Sequence, residues 1–348
     1  KSFLNIIVIL LIFSMNVLAQ ENPFLKPYDT PFNVPPFEKI KVEHYLPAFK
    51  EGIKQQEQII ERIVSEKSIP DFSNTIEPLE NSDILLSEVG GVFFNMRSAN
   101  TSPELQEVAK EIAPMLSRHN DNILLNKRLF AKIKEVYESK EPLNVEQARL
   151  LKEYYDRFVK GGAGLDDAKQ ARLREINEKL SLLGLKFGDN LLAETNDFKL
   201  VIDNKDDLAG LPQSLIDAGA ETAKKLGMDG KWVYTLSNPS VMPFLQYSAK
   251  RDLREKIWRA YMSRGNNGNA NDNNEVIKEI VSLRLERANL LGYKTHADFV
   301  LEDNMAKNPA GVYGLLDKLW KPSIETAKKE AADIQKMIDA EGGNFNLQ

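Results

Sequence analysis

The chain has 348 residues, 42% of them apolar and 28% charged, globular proportions that exclude collagen-like, low-complexity and wholly disordered classes. Forty-six basic against 51 acidic side chains give a net charge of −5, which argues against a nucleic-acid binder, whose footprint is a basic face. There is no cysteine, so disulfide frameworks, thiolate zinc sites, iron–sulfur clusters and cysteine nucleophiles are excluded.

The N-terminus reads as an address. Ile6 to Phe13 is an unbroken apolar run, and Val17-Leu18-Ala19 follows with small residues where signal peptidase prefers them, which predicts a signal peptide over 1–19 cut between Ala19 and Gln20. A membrane anchor is the rival reading. Phe3 to Ala19 is only 17 residues and contains Asn5, Ser14 and Asn16, short for a span. The mature chain is expected to be exported and soluble, with no stable membrane anchor.

Residues 20–41 form a proline-rich arm, in which Phe24, Tyr28, Phe32 and Phe37 are predicted to hold an extended segment across the body. Helices are expected from 42 onward. Tyr45, Phe49, Ile53, Ile60 and Ile63 recur near a 3.6 period, with Pro47 assigned to the first turn. Ser102-Pro103 and the Asn144/Gln147 pair read as helix starts, Gly161-Gly162 as a stop, and Asp166 as the next start. Phe198–Ile202 and Trp232–Leu236 are short, β-branched and aromatic, and read as two strands around a helix from Pro212 to Leu226. Further helices are expected from near Met242, over 248–263, 275–291 and 295–303, and from Asn308 to Glu341 with a kink at Pro322. The fold class is mainly α with a small β patch near 198–202 and 232–236.

The chemistry of the residues assembles no active site. The three histidines, His44, His119 and His296, are far apart in sequence, with no H-x-x-x-H pair, so no local zinc-hydrolase pattern exists. His44 is assigned to a helix start, His119 to a helix junction where a protonated ring favours the upstream C-terminus, and His296 to a Thr295-x-x-Asp298 cap. The Asn/Gly-rich stretch Gly265–Asn274 lacks calcium-loop spacing, lacks a phosphate-loop Lys-Ser/Thr, and reads as a mobile surface loop. Gly161-Gly162-Ala163-Gly164 follows a helix rather than a strand, so it reads as a hinge and not as a dinucleotide turn. No catalytic residue and no metal ligand is assigned to any position.

Several blocks nevertheless resemble one family in order and spacing. These are Ile40–Phe49 (IKVEHYLPAF), Leu116–Phe130 (LSRHNDNILLNKRLF), Gly210–Pro212, Gly230–Leu236 (GKWVYTL), Leu253–Tyr261 (LREKIWRAY), the stretch from Ser263, Leu283–Tyr293 (LRLERANLLGY) and Phe299–Met305. Together they are similar to the thimet-oligopeptidase/peptidyl-dipeptidase family of zinc metallopeptidases, most like its bacterial dipeptidyl carboxypeptidase branch. The resemblance covers nearly all of residues 22–348.

It implies the multi-helix N-terminal lobe of a two-lobed, channel-forming peptidase, with a helical region over 42–195. A mixed strand and helix region over 196–348 would lead into a catalytic domain that this chain does not hold. The family's H-E-x-x-H motif belongs to that missing half, so the resemblance implies zinc bound there and an inactive chain on its own. It also implies short peptides as substrates, a monomer at full length, release of C-terminal dipeptides, and residence in the bacterial periplasm. An endo-acting oligopeptidase of the same family is the first alternative. The second is a non-catalytic helical module that grips peptides or a partner, should Gln348 be the true terminus.

Overall fold

The computed structural model describes residues 22–139 and 141–347. The expected signal segment, with Ala19 and Gln20, lies outside the described residues. The chain divides into two compact units, the first ending at Leu283 and the second beginning at Arg284. Mainly helical structure is found throughout, with one small sheet.

In the first unit, helix α1 (Val42–Ser65) is about 36 Å long at 1.5 Å per residue, and it serves two cores. Its first half buries Tyr45, Ala48 and Phe49 against Val89, Val92 and Phe93 of α2 (Ile84–Ala99) and Leu105, Ala109 and Ile112 of α3 (Pro103–Leu124). Its second half buries Ile60, Ile63 and Val64 against Leu129, Ile133 and Val136 of α4 (Lys127–Glu138) and Leu151 and Phe158 of α5 (Val145–Lys160). A one-turn π-helix at Phe72–Ile76, running into Glu77–Glu80, fills the second core with Phe72, Ile76 and Leu79. Helix α6 (Asp167–Asp197) then packs along α3.

The caps are the local reasons these helices start and stop where they do. Ser102 Oγ accepts from Leu105 N–H at 3.3 Å, and Asn144 and Gln147 cap one another at 2.9 and 3.1 Å. Asp166 accepts from Lys169 N–H at 2.9 Å. Gly162 takes φ +94° just past α5, where the Ala163 N–H closes back on the Phe158 carbonyl at 3.1 Å. That left-handed position favours glycine, as expected for a helix stop.

The place of Pro47 and one helix start differ from expectation. α1 begins at Val42, so Pro47 sits in the second turn, where its missing N–H removes one helix bond. His44 sets the start instead: its Nδ1 accepts from Lys41 N–H at 3.0 Å. The helix expected near Met242 begins at Asn238, four residues earlier, with Pro239 in its first turn.

The arm docks through Phe24, with Tyr28 and Ile40 packed against the same core. Phe24 is buried and meets Tyr45 at a ring separation of 5.4 Å, and Asn22 Nδ2 donates to the His44 carbonyl at 2.9 Å. Phe32 is 99% exposed and Phe37 is half exposed. These two anchors of the expected arm are therefore not used.

A third core surrounds the sheet. Strands β1 (Leu200–Ile202) and β2 (Trp232–Tyr234) pair antiparallel with Leu200 opposite Tyr234 and Ile202 opposite Trp232. Helices α7 (Gln213–Lys225), α8 (Asn238–Tyr247) and α9 (Arg251–Met262) close over them around Leu215, Val241, Phe244 and Ile257. Gly219 on α7 lets the Tyr234 ring lie against the helix backbone, since a Cβ there would fall 2.9 Å from that ring.

Helix α10 (Asn274–Leu290) crosses from the first unit into the second. In the second unit, Thr295 and Asp298 cap one another at the start of α11 (His296–Leu301), and Phe299 meets Tyr293 edge-on at 5.3 Å. Helix α12 (Pro309–Ala340) is started by Asn308, whose side chain accepts from Gly311 N–H at 2.9 Å. It remains one helix through Pro322. Among the described residues no helix is long and apolar enough to cross a membrane.

Candidate functional site

A buried polar group of the first unit is built around His119. The sequence places this residue at a helix junction with a charged ring. The structure corrects both points. His119 lies inside α3, five residues before its end, and is 5% exposed. Its Nε2 is 2.7 Å from Gln56 Oε1 on α1.

The proton positions follow from the chain of partners. Ser82 Oγ donates to the Leu79 carbonyl at 2.6 Å, so its lone pair accepts from Gln56 Nε2 at 2.9 Å. The Gln56 oxygen therefore faces the ring, and His119 carries its proton on Nε2. Burial holds the imidazole below the ordinary histidine range, with the Glu57 carboxylate opposing that shift. Glu57 Oε1 is 3.7 Å from Nδ1, within Coulombic reach but beyond hydrogen-bond distance, and Nδ1 has no hydrogen-bond partner. A neutral ring with its donor engaged is a structural strut between α1 and α3.

A groove of about 640 Å³ opens beside this strut, lined by Lys50, Glu57, Arg118, Arg174 and Glu178 among others. Two of its three named cations are engaged. Arg118 pairs with Glu178 at 3.0 Å, and Arg174 donates to Asn122 at 2.8 Å. On the other side of His119 a smaller cavity of about 230 Å³ is bounded by Asp83, Leu116, Tyr154 and Phe158. Neither contains a nucleophile paired with a free base, so neither supplies hydrolytic chemistry by itself.

The Asn/Gly-rich loop departs furthest from its expected mobility. Asn273 is buried; its Nδ2 donates to the Phe187 carbonyl at 3.1 Å, and its Oδ1 accepts from Asn190 at 2.9 Å, both on α6. Asn267 and Asn269 both donate to the buried carboxylate of Glu194. Asp272 accepts from Gly268 and Asn274 N–H, and the Asn274 and Gly268 backbone donors hold its carboxyl below the usual range. The short amide side chains supply the donors and acceptors that the irregular backbone needs, which turns a polar loop into a docked one. Nothing in the sequence marked Glu194, Gln56 or Ser82, since each reads as an ordinary polar position and is defined only by a partner far along the chain.

His44 and His296 sit where expected, at the starts of α1 and α11. The described residues bring no group of three or more His, Asp or Glu side chains together as a metal site.

The profile of peptidase family M3 matches residues 244–348. The dipeptidyl carboxypeptidase of Escherichia coli strain K12 is 35% identical over 329 residues, which is 94% of this chain and 48% of that protein. The chain is thus similar to peptidases of family M3. Oligopeptidase A of the same strain is 31% identical over 333 residues, 94% of this chain and 48% of the relative. The thimet-like oligopeptidase of Dictyostelium discoideum is 26% identical over 315 residues, 88% of this chain and 44% of the relative. The chain thus spans about half the length of the curated relatives it matches.

M3 peptidases are generally zinc enzymes. The donors of this chain do not fit that ion. His44 Nδ1 is taken by Lys41 N–H and His119 Nε2 by Gln56, and no third ligand stands beside either among the described residues. No reaction step is therefore assigned to a metal on this chain.

Proposed function

We propose that this chain is the N-terminal portion of an exported M3 zinc peptidase that releases dipeptides from the C-termini of short peptides. The observation that carries the reading is the 35% identity to a dipeptidyl carboxypeptidase across 94% of the chain, which uses up only 48% of that relative. The other half of the relative's length leaves room for the metal and its general base. A zinc-bound water there would attack the peptide carbonyl. The role of this chain is to supply helical walls around the peptide, as a scaffold rather than as a source of reacting groups. The full-length enzyme acts as a monomer in the periplasm, after cleavage between Ala19 and Gln20.

The test begins with the gene beyond the codon for Gln348. An open frame reaching H-E-x-x-H is expected. Its product should release dipeptides from an N-blocked tetrapeptide, lose that activity to a chelator, and fail on the same peptide with an amidated C-terminus. Its mature form should be recovered from the periplasm with Gln20 first. A stop codon at 349, or turnover by this chain alone, overturns the reading. The match to oligopeptidase A over the same share of the chain supports a second reading, an endo-acting oligopeptidase. Equal cleavage of the amidated and free peptides selects it.

A further inference from the structure

The groove beside His119 is lined by basic and acidic side chains in balance: Lys50, Arg118 and Arg174 against Glu57, Glu175 and Glu178. Four of these six are engaged. Arg118 pairs with Glu178, Arg174 donates to Asn122, and Glu175 pairs with Arg172 at 2.7 Å. Lys50 and Glu57 remain, both at exposed positions of α1. They lie two helical turns apart, about 10 Å along the axis, with Ile53 between them on the same face. At the Glu57 end the His119 ring adds a second acceptor. Its Nδ1 is buried, has no hydrogen-bond partner, and stands 3.7 Å from Glu57 Oε1. An ammonium group carries three N–H donors and satisfies both acceptors. At the other end the Lys50 ammonium suits a carboxylate, and Ile53 and Met115 supply apolar surface between the two. A ligand of one charge would meet groups of its own sign along this lining. A dipolar ligand meets an opposite charge at each end.

We propose that this groove binds an extended tripeptide with both ends free, its amino group at Glu57 and His119 and its carboxylate at Lys50. Three extended residues span about 10 Å, which matches the separation of the two charges along α1. The groove volume of about 640 Å³ falls within the roughly 300–1,000 Å³ of small-molecule sites. The choice of a peptide among dipolar molecules rests on the proposed function above. The site itself is built by α1, α3 and α6, all within the first unit.

The test measures binding to the gene product by titration calorimetry. The probe is alanyl-leucyl-alanine with both amides N-methylated, so that it is not consumed. Acetylating its amino end, or amidating its carboxyl end, should each weaken binding about fivefold, close to the most that an exposed ion pair supplies. Glu57→Gln should weaken the free peptide by the same factor and leave the acetylated one unchanged. Lys50→Met should weaken the free peptide and leave the amidated one unchanged. Both positions are exposed, so the melting temperature should not move. Binding that neither variant weakens overturns the site, as does the absence of binding. Dipeptide release from an ordinary peptide, measured on the same protein, decides the proposed function separately. Release without binding in the groove overturns only the groove site. Binding in the groove without release overturns only the peptidase reading.

Discussion

Gln56 and His119, 63 positions apart in sequence, meet at 2.7 Å in the seam between α1 and α3, and Ser82 locks the amide so that its oxygen faces the ring. Replacing Gln56 by Leu strands the His119 N–H in a site that is 5% exposed. A buried donor left without a partner costs about 1–3 kcal/mol. Replacing both Gln56 and His119 by Leu removes the orphan, so the double variant should lose less than the sum of the singles. Urea unfolding of the four proteins at neutral pH measures this. Additive losses would mean that the two side chains act independently.

The same ring sets a pH dependence. Burial depresses the His119 pKa in the folded state relative to the unfolded chain. The unfolded state then binds more protons between the folded pKa and the ordinary value, so stability rises with pH across that window. The contribution is complete above about pH 6.5 and is lost as pH falls through the folded pKa. The chain should therefore lose stability on going from pH 7.5 to 5.5, and His119→Gln should flatten that slope. An unchanged slope in the variant would assign the acid sensitivity to carboxylates.

How much of this was legible in the sequence follows from the range of each interaction. The starts at Ser102, Asn144, Asp166, Thr295 and Asn308 were readable because a cap is made within three residues. The two strands were readable from their β-branched and aromatic content, although only three residues of each pair. Helix α2 was not anticipated. Its apolar residues surround the axis, with Val89 and Phe93 buried but Ile84 and Phe94 exposed, so no clean period marks it. The state of His119 and the docking of Asn273 were hidden for another reason. Their partners lie 63 and more than 80 positions away, and composition near each residue says nothing about them. The family blocks were visible as ordered words in the sequence, whereas no residue chemistry in this chain points to a peptidase.

Asn273 offers a direct check on the docked loop. Its amide is the only buried one in the segment 265–274, bonded to Phe187 and Asn190 of α6. Asn273→Ala should cost about 1–3 kcal/mol, because the Phe187 carbonyl and the Asn190 amide lose their partner. It should also speed amide exchange across 266–272, while exchange in α1 stays slow. Wild-type exchange already at the unprotected rate there would restore the mobile loop.

Gly219 tests the closest approach around the sheet. A Cβ at that position would stand 2.9 Å from the Tyr234 ring, whose burial pushes its hydroxyl pKa up to about 12. Gly219→Ala gains about 1 kcal/mol in helix propensity. Overpacking a filled core costs roughly 1–3 kcal/mol, so the net effect should be a loss of about 1 kcal/mol. Trimming the ring with Tyr234→Leu should remove the penalty, so that Ala at 219 becomes stabilising in that background. Thermal melts of the two singles and the double decide it.

The arm separates into a docked and an undocked part, and two phenylalanines report on them. Phe24 lies 3% exposed against Tyr45, and Tyr45 continues the aromatic row to Phe93 at 5.0 Å. Phe32 is almost wholly exposed, with φ +59° in a short turn. Removing a buried phenyl ring costs about 3–5 kcal/mol in a closed core. The arm has an alternative, which is to lift off while α1 and α2 stay folded, and that caps the global loss below the full figure. Phe24→Ala should therefore lower the melting temperature modestly and open residues 25–40 to protease at native conditions. Phe32→Ala should stay within about 0.5 kcal/mol of wild type and leave the cleavage pattern alone. Equal protease sensitivity in the two variants would mean that the ring of Phe24 does not hold the arm, and that the Asn22 bond to the His44 carbonyl carries the attachment instead.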